Sequence, residues 1–159
     1  MAYNGLEKPR MQNMINDCET DKMGRIFVEI ELSNDQDVQL SRAGMLASEK
    51  IRKVKIQGLV DSGATFLVLP GSVSLQLGLV ETGDATVKYA DQRSSTRKIV
   101  EQVRLEYAGR HGSFQAIVEP ARKTALIGAI VMEALDLIVD CGKQQLVPRD
   151  PDHVVAEIE

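Results

Sequence analysis

The sequence predicts an all-β domain, mainly strand with one or two short helices, and three observations carry the prediction. Apolar and polar residues alternate with a period of two over long stretches, the pattern of half-buried strands. The alternating runs are short and broken by Gly, Pro, Asn, Asp and Ser at close intervals, as in sandwiches and barrels. With 159 residues, 43% hydrophobic and 26% charged, the chain fits one soluble domain with its own core.

Residues 1–24 are polar and aperiodic and read as a loosely ordered N-terminal arm. A domain is expected over residues 25–148, and an acidic, mobile tail over 149–159. In the first strand Ile26, Val28, Ile30 and Leu32 alternate against Phe27, Glu29 and Glu31, until Ser33-Asn34-Asp35 signals a turn. Residues 36–49 read as a mixed polar connection. A second strand sets Val54 and Ile56 against Lys53, Lys55 and Gln57 and runs into Val60-Asp61. Phe66-Leu67-Val68-Leu69 is an apolar run of strand length closed by Pro70-Gly71. Residues 72–77 form a short helix, with Ser72 as its cap and Gly78 just past its end.

Residues 86–90 and 99–107 form the arms of a hairpin. In the second arm Ile99, Val103, Leu105 and Tyr107 share one face, and Val100, Gln102, Arg104 and Glu106 the other. Gly109-Arg110-His111-Gly112 reads as a turn, residues 114–119 as a strand and Ala125-Leu126-Ile127-Gly128 as a short buried run. A helix over 129–135 and strands over 137–140 and 144–147 complete the fold before Pro148.

Composition excludes several function classes. A net charge of −4 disfavours nucleic acid, since phosphate binding needs clustered Lys and Arg. No apolar run reaches the length of a membrane span. The N-terminus lacks the apolar segment of a secretory signal. Cys18 and Cys141, the two cysteines, therefore read as free thiols and the expected compartment is cytoplasmic. His111 and His153 have no second ligand at metal spacing, so neither metal nor other cofactor is expected.

Leu59-Val60-Asp61-Ser62-Gly63-Ala64 places a carboxylate on a tight turn directly after an apolar strand. Asp, Ser and Gly favour turns for local reasons alone, so the flanks decide its weight. Leu59-Val60 and Ala64 are expected to draw the turn inside the molecule, where an unpaired carboxylate is costly and a proton-sharing partner would explain it. Gly63 lets backbone approach closely.

This motif, the strand closed by Pro70 and the later Leu126-Ile127-Gly128 together resemble the retropepsin-like aspartic proteases. The run from Ala125 through the helix to Leu137-Ile138-Val139-Asp140 is similar to the prokaryotic, single-domain branch of that clan. The resemblance covers roughly residues 25–148 and implies a retropepsin-like fold, one lobe that dimerises. It implies an aspartic endopeptidase acting on peptide or protein substrates, with one catalytic Asp per chain. Asp61 would be that carboxylate, Ser62 the hydroxyl bracing the turn, and Gly63 and Ala64 its close-packed floor. Leu126, Ile127 and Gly128 would form the ψ-loop threaded beside the turn, and a hairpin flap over the cleft would fall at residues 87–99. The chain departs from the retroviral pattern in three places. The flap tip Asp91-Gln92-Arg93-Ser94-Ser95 has no glycine, Ala129 stands where those members carry Arg, and Thr65-Phe66 supplies no acidic residue after the turn.

Leu79-Val80-Glu81-Thr82-Gly83 mimics the motif but reads as an exposed turn. Leu137-Ile138-Val139-Asp140-Cys141-Gly142 mimics it more closely, yet Cys141 cannot brace a turn as a hydroxyl does, so it reads as a structural strand. The cluster Lys50, Arg52, Lys53 and Lys55 reads as a solvated strand face. Two other functions stay open at this point: a catalytically idle member binding peptides in the same dimer cleft, and an interaction domain in which Asp61 only caps a turn.

Overall fold

Alternation does become strand in the structure, a computed structural model that describes residues 24–159. The expected N-terminal arm, but for Gly24, lies outside the described residues. The strands are β1 (Phe27–Asn34), β2 (Lys53–Val60), β3 (Leu67–Pro70), β4 (Glu81–Lys88), β5 (Ser94–Tyr107), β6 (Arg110–Glu119), β7 (Ala125–Ile127), β8 (Leu137–Asp140) and β9 (Gln145–Pro148). Three short helices join them rather than one or two: α1 (Asp35–Arg42), α2 (Gly71–Gln76) and α3 (Ala129–Ala134). The expected all-β class is what the chain adopts.

Sheet neighbours run β1-β2-β7-β3-β6-β5-β4, and β1 also pairs with β5. That second pairing closes β1, β2, β7, β3, β6 and β5 into a six-stranded barrel and leaves β4 outside as an extension of β5. The core fills the barrel with inward residues of alternating strands, among them Ile30, Leu32, Leu69, Val103, Leu105 and Ile127, each no more than 1% exposed. The separate β8–β9 hairpin is docked by Tyr107, whose hydroxyl donates to the Leu146 carbonyl at 2.6 Å.

Several local expectations are corrected. The connection over 36–49 contains α1, whose N-cap is Asn34, its side chain accepting from the Asp37 amide at 3.2 Å. Helix α2 begins after Pro70 without a side-chain cap, so Ser72 does not cap it. In β5 a bulge between Val100 and Val103, with Gln102 at φ +58°, shifts the phase. Val100 therefore joins Val103 and Leu105 in the core instead of facing away from them. The turn expected at 109–112 narrows to Ala108-Gly109, both at positive φ, because Arg110 already belongs to β6 and is buried. Glu81, Thr82 and Gly83 are exposed residues of β4, not a turn.

Two corrections concern how the ends are held. Cys141 is disulfide-bonded and no free cysteine occurs among the described residues, which overturns the free-thiol expectation for it. Cys18 lies outside the described residues. A disulfide is the bond of an oxidising environment, so cysteine usage no longer argues for a cytoplasmic address. The chain after β9 is held as far as Val155. Buried Asp136 accepts from the Arg149 amide on its carbonyl and from the Arg149 side chain and the Val155 amide on its carboxylate, each at 3.0 Å. Arg110 donates to the Leu135, Asp150 and His153 carbonyls.

Candidate active site

β7 lies between β2 and β3, parallel to the first and antiparallel to the second. Strands β2 and β3 are consecutive in sequence, so the turn that joins them must pass over the C-terminal end of β7. That turn is Asp61-Ser62-Gly63. Parallel pairing puts Leu59 beside Leu126 and Val60 beside Ile127, which brings Asp61 and Gly128 to the same end of the barrel.

Backbone bonds fix the turn on both sides. The Asp61 amide donates to the Ile127 carbonyl at 3.1 Å, the Ala64 amide to the Asp61 carbonyl at 3.2 Å, and the Ala129 amide to the Ala64 carbonyl at 2.9 Å. The Ile130 amide donates to the Thr65 carbonyl at 3.1 Å. Asp61 Oδ1 accepts from the Gly63 amide at 2.9 Å, which aims the carboxylate along the turn. Gly128 is required by space: a Cβ there would lie 2.4 Å from the Phe66 carbonyl oxygen and 2.7 Å from that of Ala64. Leu126, Ile127 and Gly128 are thus placed beside the Asp61 turn, and Ser62, Gly63 and Ala64 form the turn and its exit.

The turn is not buried within this chain. Asp61, Ser62 and Ala64 are half-buried and Gly63 is exposed. The apolar flanks misled because Leu59 and Val60 are themselves only half-buried at the end of β2. Asp61 instead borders a cavity of about 580 Å³. Its apolar wall includes Phe66, Val68, Ile117 and Leu126, and its roof is the segment from Ala85 to Ala90.

That roof belongs to the β4–β5 hairpin, where a flap was expected. The Tyr89 amide donates to the Arg93 carbonyl and the Gln92 amide to the Tyr89 carbonyl, each at 2.9 Å. Gln92 takes φ +69° in place of a glycine. Asp91 supports the tip, accepting from the Arg93 amide at 3.1 Å and from its guanidinium at 2.6 Å, while that guanidinium stacks 5.6 Å from the Tyr89 ring centre. The hairpin is tied to the barrel wall by Glu119, which accepts from the Tyr89 hydroxyl and from Arg97 at 3.0 Å. The Glu119 bond, then burial, holds the Tyr89 phenol above its ordinary range. Sequence reading missed Tyr89, Glu119 and Arg97, because their partnership depends on the pairing of β4, β5 and β6.

The other candidates lie elsewhere. Asp140 sits in the β8–β9 hairpin, where its carboxylate accepts from the Lys143 amide at 3.0 Å and closes the turn. Of the basic cluster, Lys53 and Lys55 are exposed on β2, whereas Arg52 forms a bidentate pair with Asp37. No group of three or more potential metal ligands occurs among the described residues. None of the described helices is long and apolar enough to cross a membrane. A second cavity, about 540 Å³, is bordered by Glu29, Glu31, Lys55 and His111 and does not include Asp61.

By structure the chain is similar to EIAV protease complexed with the inhibitor HBY-793, at 16% sequence identity over 85% of this chain and 94% of that one, with a TM-score of 0.48. No family model matches the sequence, and no curated protein matches it.

Proposed function

We infer that the chain is an aspartic endopeptidase whose working unit is a pair of copies, each lending one Asp61. The observation that carries the reading is the Asp61 turn pinned over the end of β7, facing a cavity roofed by a hairpin. A carboxylate fixed by its own turn, beside a cavity of about 580 Å³, is suited to handling a proton on a bound substrate.

The described chain supplies no proton-sharing partner for Asp61. Glu119, the other carboxylate of the cavity wall, is already engaged by Arg97 and Tyr89. A second copy is the natural source. Phe66 and Ile130, next to the turn and linked to it through Thr65, are each 40% exposed, and burying such side chains favours association. Two Asp61 carboxylates brought within a few ångströms could not both ionise and would hold one proton between them. The ionised one then takes a proton from water as it attacks the peptide carbonyl, and the protonated one donates a hydrogen bond to the developing oxyanion. As the C–N bond breaks, the proton taken from water passes to the leaving amine. The peptide would lie extended beneath the hairpin, its side chains alternating between cavity wall and solvent.

Replacement of Asp61 by Asn tests this. On peptides from a denatured protein, assayed from acid to neutral pH, the variant should lose cleavage by a factor of about 10³ or more, while Asp140→Asn retains it. Cleavage that survives Asp61→Asn would overturn the reading. Peptide binding without cleavage by the unmodified protein would instead assign an idle binding cleft.

A further inference from the structure

We propose that the cleft recognises a peptide carboxylate through Arg122, so that substrates carrying an acidic group near the scissile bond are preferred. This rests on the peptidase reading for where the peptide lies and deepens it by naming a substrate class.

Arg122 borders the same cavity as Asp61. Its backbone is set by a turn after β6: the Arg122 amide donates to the Glu119 carbonyl at 3.2 Å, with Pro120 at the second position. Its guanidinium is held by Thr124, through Nε to the carbonyl at 3.0 Å and Nη2 to the hydroxyl at 3.3 Å. Both contacts are to neutral oxygens. Among the described residues Arg122 has no carboxylate within ion-pair distance, although Arg52, Arg93, Arg97, Arg104, Arg110 and Arg149 all do. The described arginines without such a partner are Arg25, Arg42 and Arg122, of which the first two are exposed and Arg122 is half-buried.

A half-buried arginine at the cavity wall with no carboxylate beside it among the described residues is placed to receive one from a ligand. Glu119 does not fill that role, because its carboxylate is turned to Tyr89 and Arg97. Thr124 occupies Nε and one proton of Nη2, leaving Nη1 and the rest of the fork to donate charge-assisted bonds to a carboxylate. The apolar wall at Phe66, Val68 and Leu126 offers a place for a neighbouring apolar side chain. The recognised group is thus a carboxylate beside an apolar residue, from an Asp or Glu side chain or from a peptide C-terminus.

Matched peptides differing only as Glu or Gln at each position around an apolar pair test the proposal, in C-terminally amidated and free-acid forms. The unmodified protein should cleave the best Glu peptide roughly tenfold or more faster in kcat/KM than its Gln twin. Arg122→Met should bring that ratio close to one, and Arg122→Lys should keep part of it. A ratio that follows the free terminus and not the Glu position identifies the chain end as the source. Binding of the same peptides to Asp61→Asn, read by fluorescence anisotropy, should show the same preference without any cleavage. Failure of all cleavage would count against the peptidase reading alone, because the anisotropy ratio still tests Arg122. Equal handling of Glu and Gln peptides in both assays, or a preference unchanged in folded Arg122→Met, would overturn the proposal.

Discussion

A methyl group on Gly128 has no space to occupy. The two nearest atoms are backbone carbonyl oxygens, and the Ala64 oxygen is already fixed as acceptor for Ala129. Gly128→Ala must therefore push the Asp61 turn away from β7. We expect it to lower stability by about 2–3 kcal/mol and to impair cleavage beyond what stability explains, read by thermal melts alongside kcat/KM. A variant with unchanged Tm would contradict the packing described. At this scale part of the candidate site was legible: Asp61 and Gly63 stand out because a tight turn demands few residue types. Gly128, by contrast, was singled out by the motif resemblance, and its crowding shows only in the fold. The exposure of the turn was not, since Leu59-Val60 looks the same whether a strand end is covered by its own chain or left open. The Tyr89–Glu119–Arg97 cluster was also hidden, because its partners are distant in sequence, and so was Arg122, which has no carboxylate beside it among the described residues.

Strands announced themselves through alternation, while α1 did not, because its sequence Asp35-Gln36-Asp37-Val38-Gln39-Leu40-Ser41-Arg42 lacks an apolar stripe. Its signals are terminal: the Asn34 cap, Asp35 and Asp37 in the first turn and Arg42 in the last. The helix is held through polar contacts. Asp37, 8% exposed at its side chain, accepts from Arg52 Nε at 2.8 Å, Nη2 at 2.9 Å and the Arg52 amide at 3.0 Å. Asn34 Nδ2 meanwhile donates to the Leu77 carbonyl at 3.0 Å, joining α1 to the end of α2. The Arg52 side-chain bond holds the Asp37 carboxyl below its ordinary 3.8. A carboxyl whose pKa is lowered by folding adds stability above its unfolded pKa and loses it as pH falls through the folded value. Asp37→Asn should thus cost about 1.5 kcal/mol at pH 7, a Tm decrease of about 3–6 °C. The gap between variant and parent should close as pH falls below the ordinary 3.8 and through the lowered folded value. A gap independent of pH would remove the ion pair from the account. The β5 bulge was invisible for another reason: one inserted residue inverts the phase of a strand, and nothing in 99–107 marks Gln102 as the residue that takes positive φ.

For the whole molecule, closure of six strands and threading of β7 between β2 and β3 place the Asp61 turn at the edge of the cleft. Strand order was not legible, because alternation reveals each strand without its neighbours. The ends show the same limit. Arg110 reads as a turn residue until the fold brings it to the 150–153 backbone, and Cys141 reads as a thiol until its disulfide is formed. What the fold leaves open is the edge around Asp61, with Phe66 and Ile130 exposed beside it, and the proposed mechanism requires a second copy there. The most direct measurement mixes unmodified protein with Asp61→Asn at constant total concentration, after full subunit exchange, and follows peptide cleavage. If both Asp61 residues of a pair are needed, activity should fall with the square of the unmodified fraction, to about a quarter in an equal mixture. Activity that stays proportional to the unmodified fraction, about half in that mixture, would show that one chain works alone and would contradict the account.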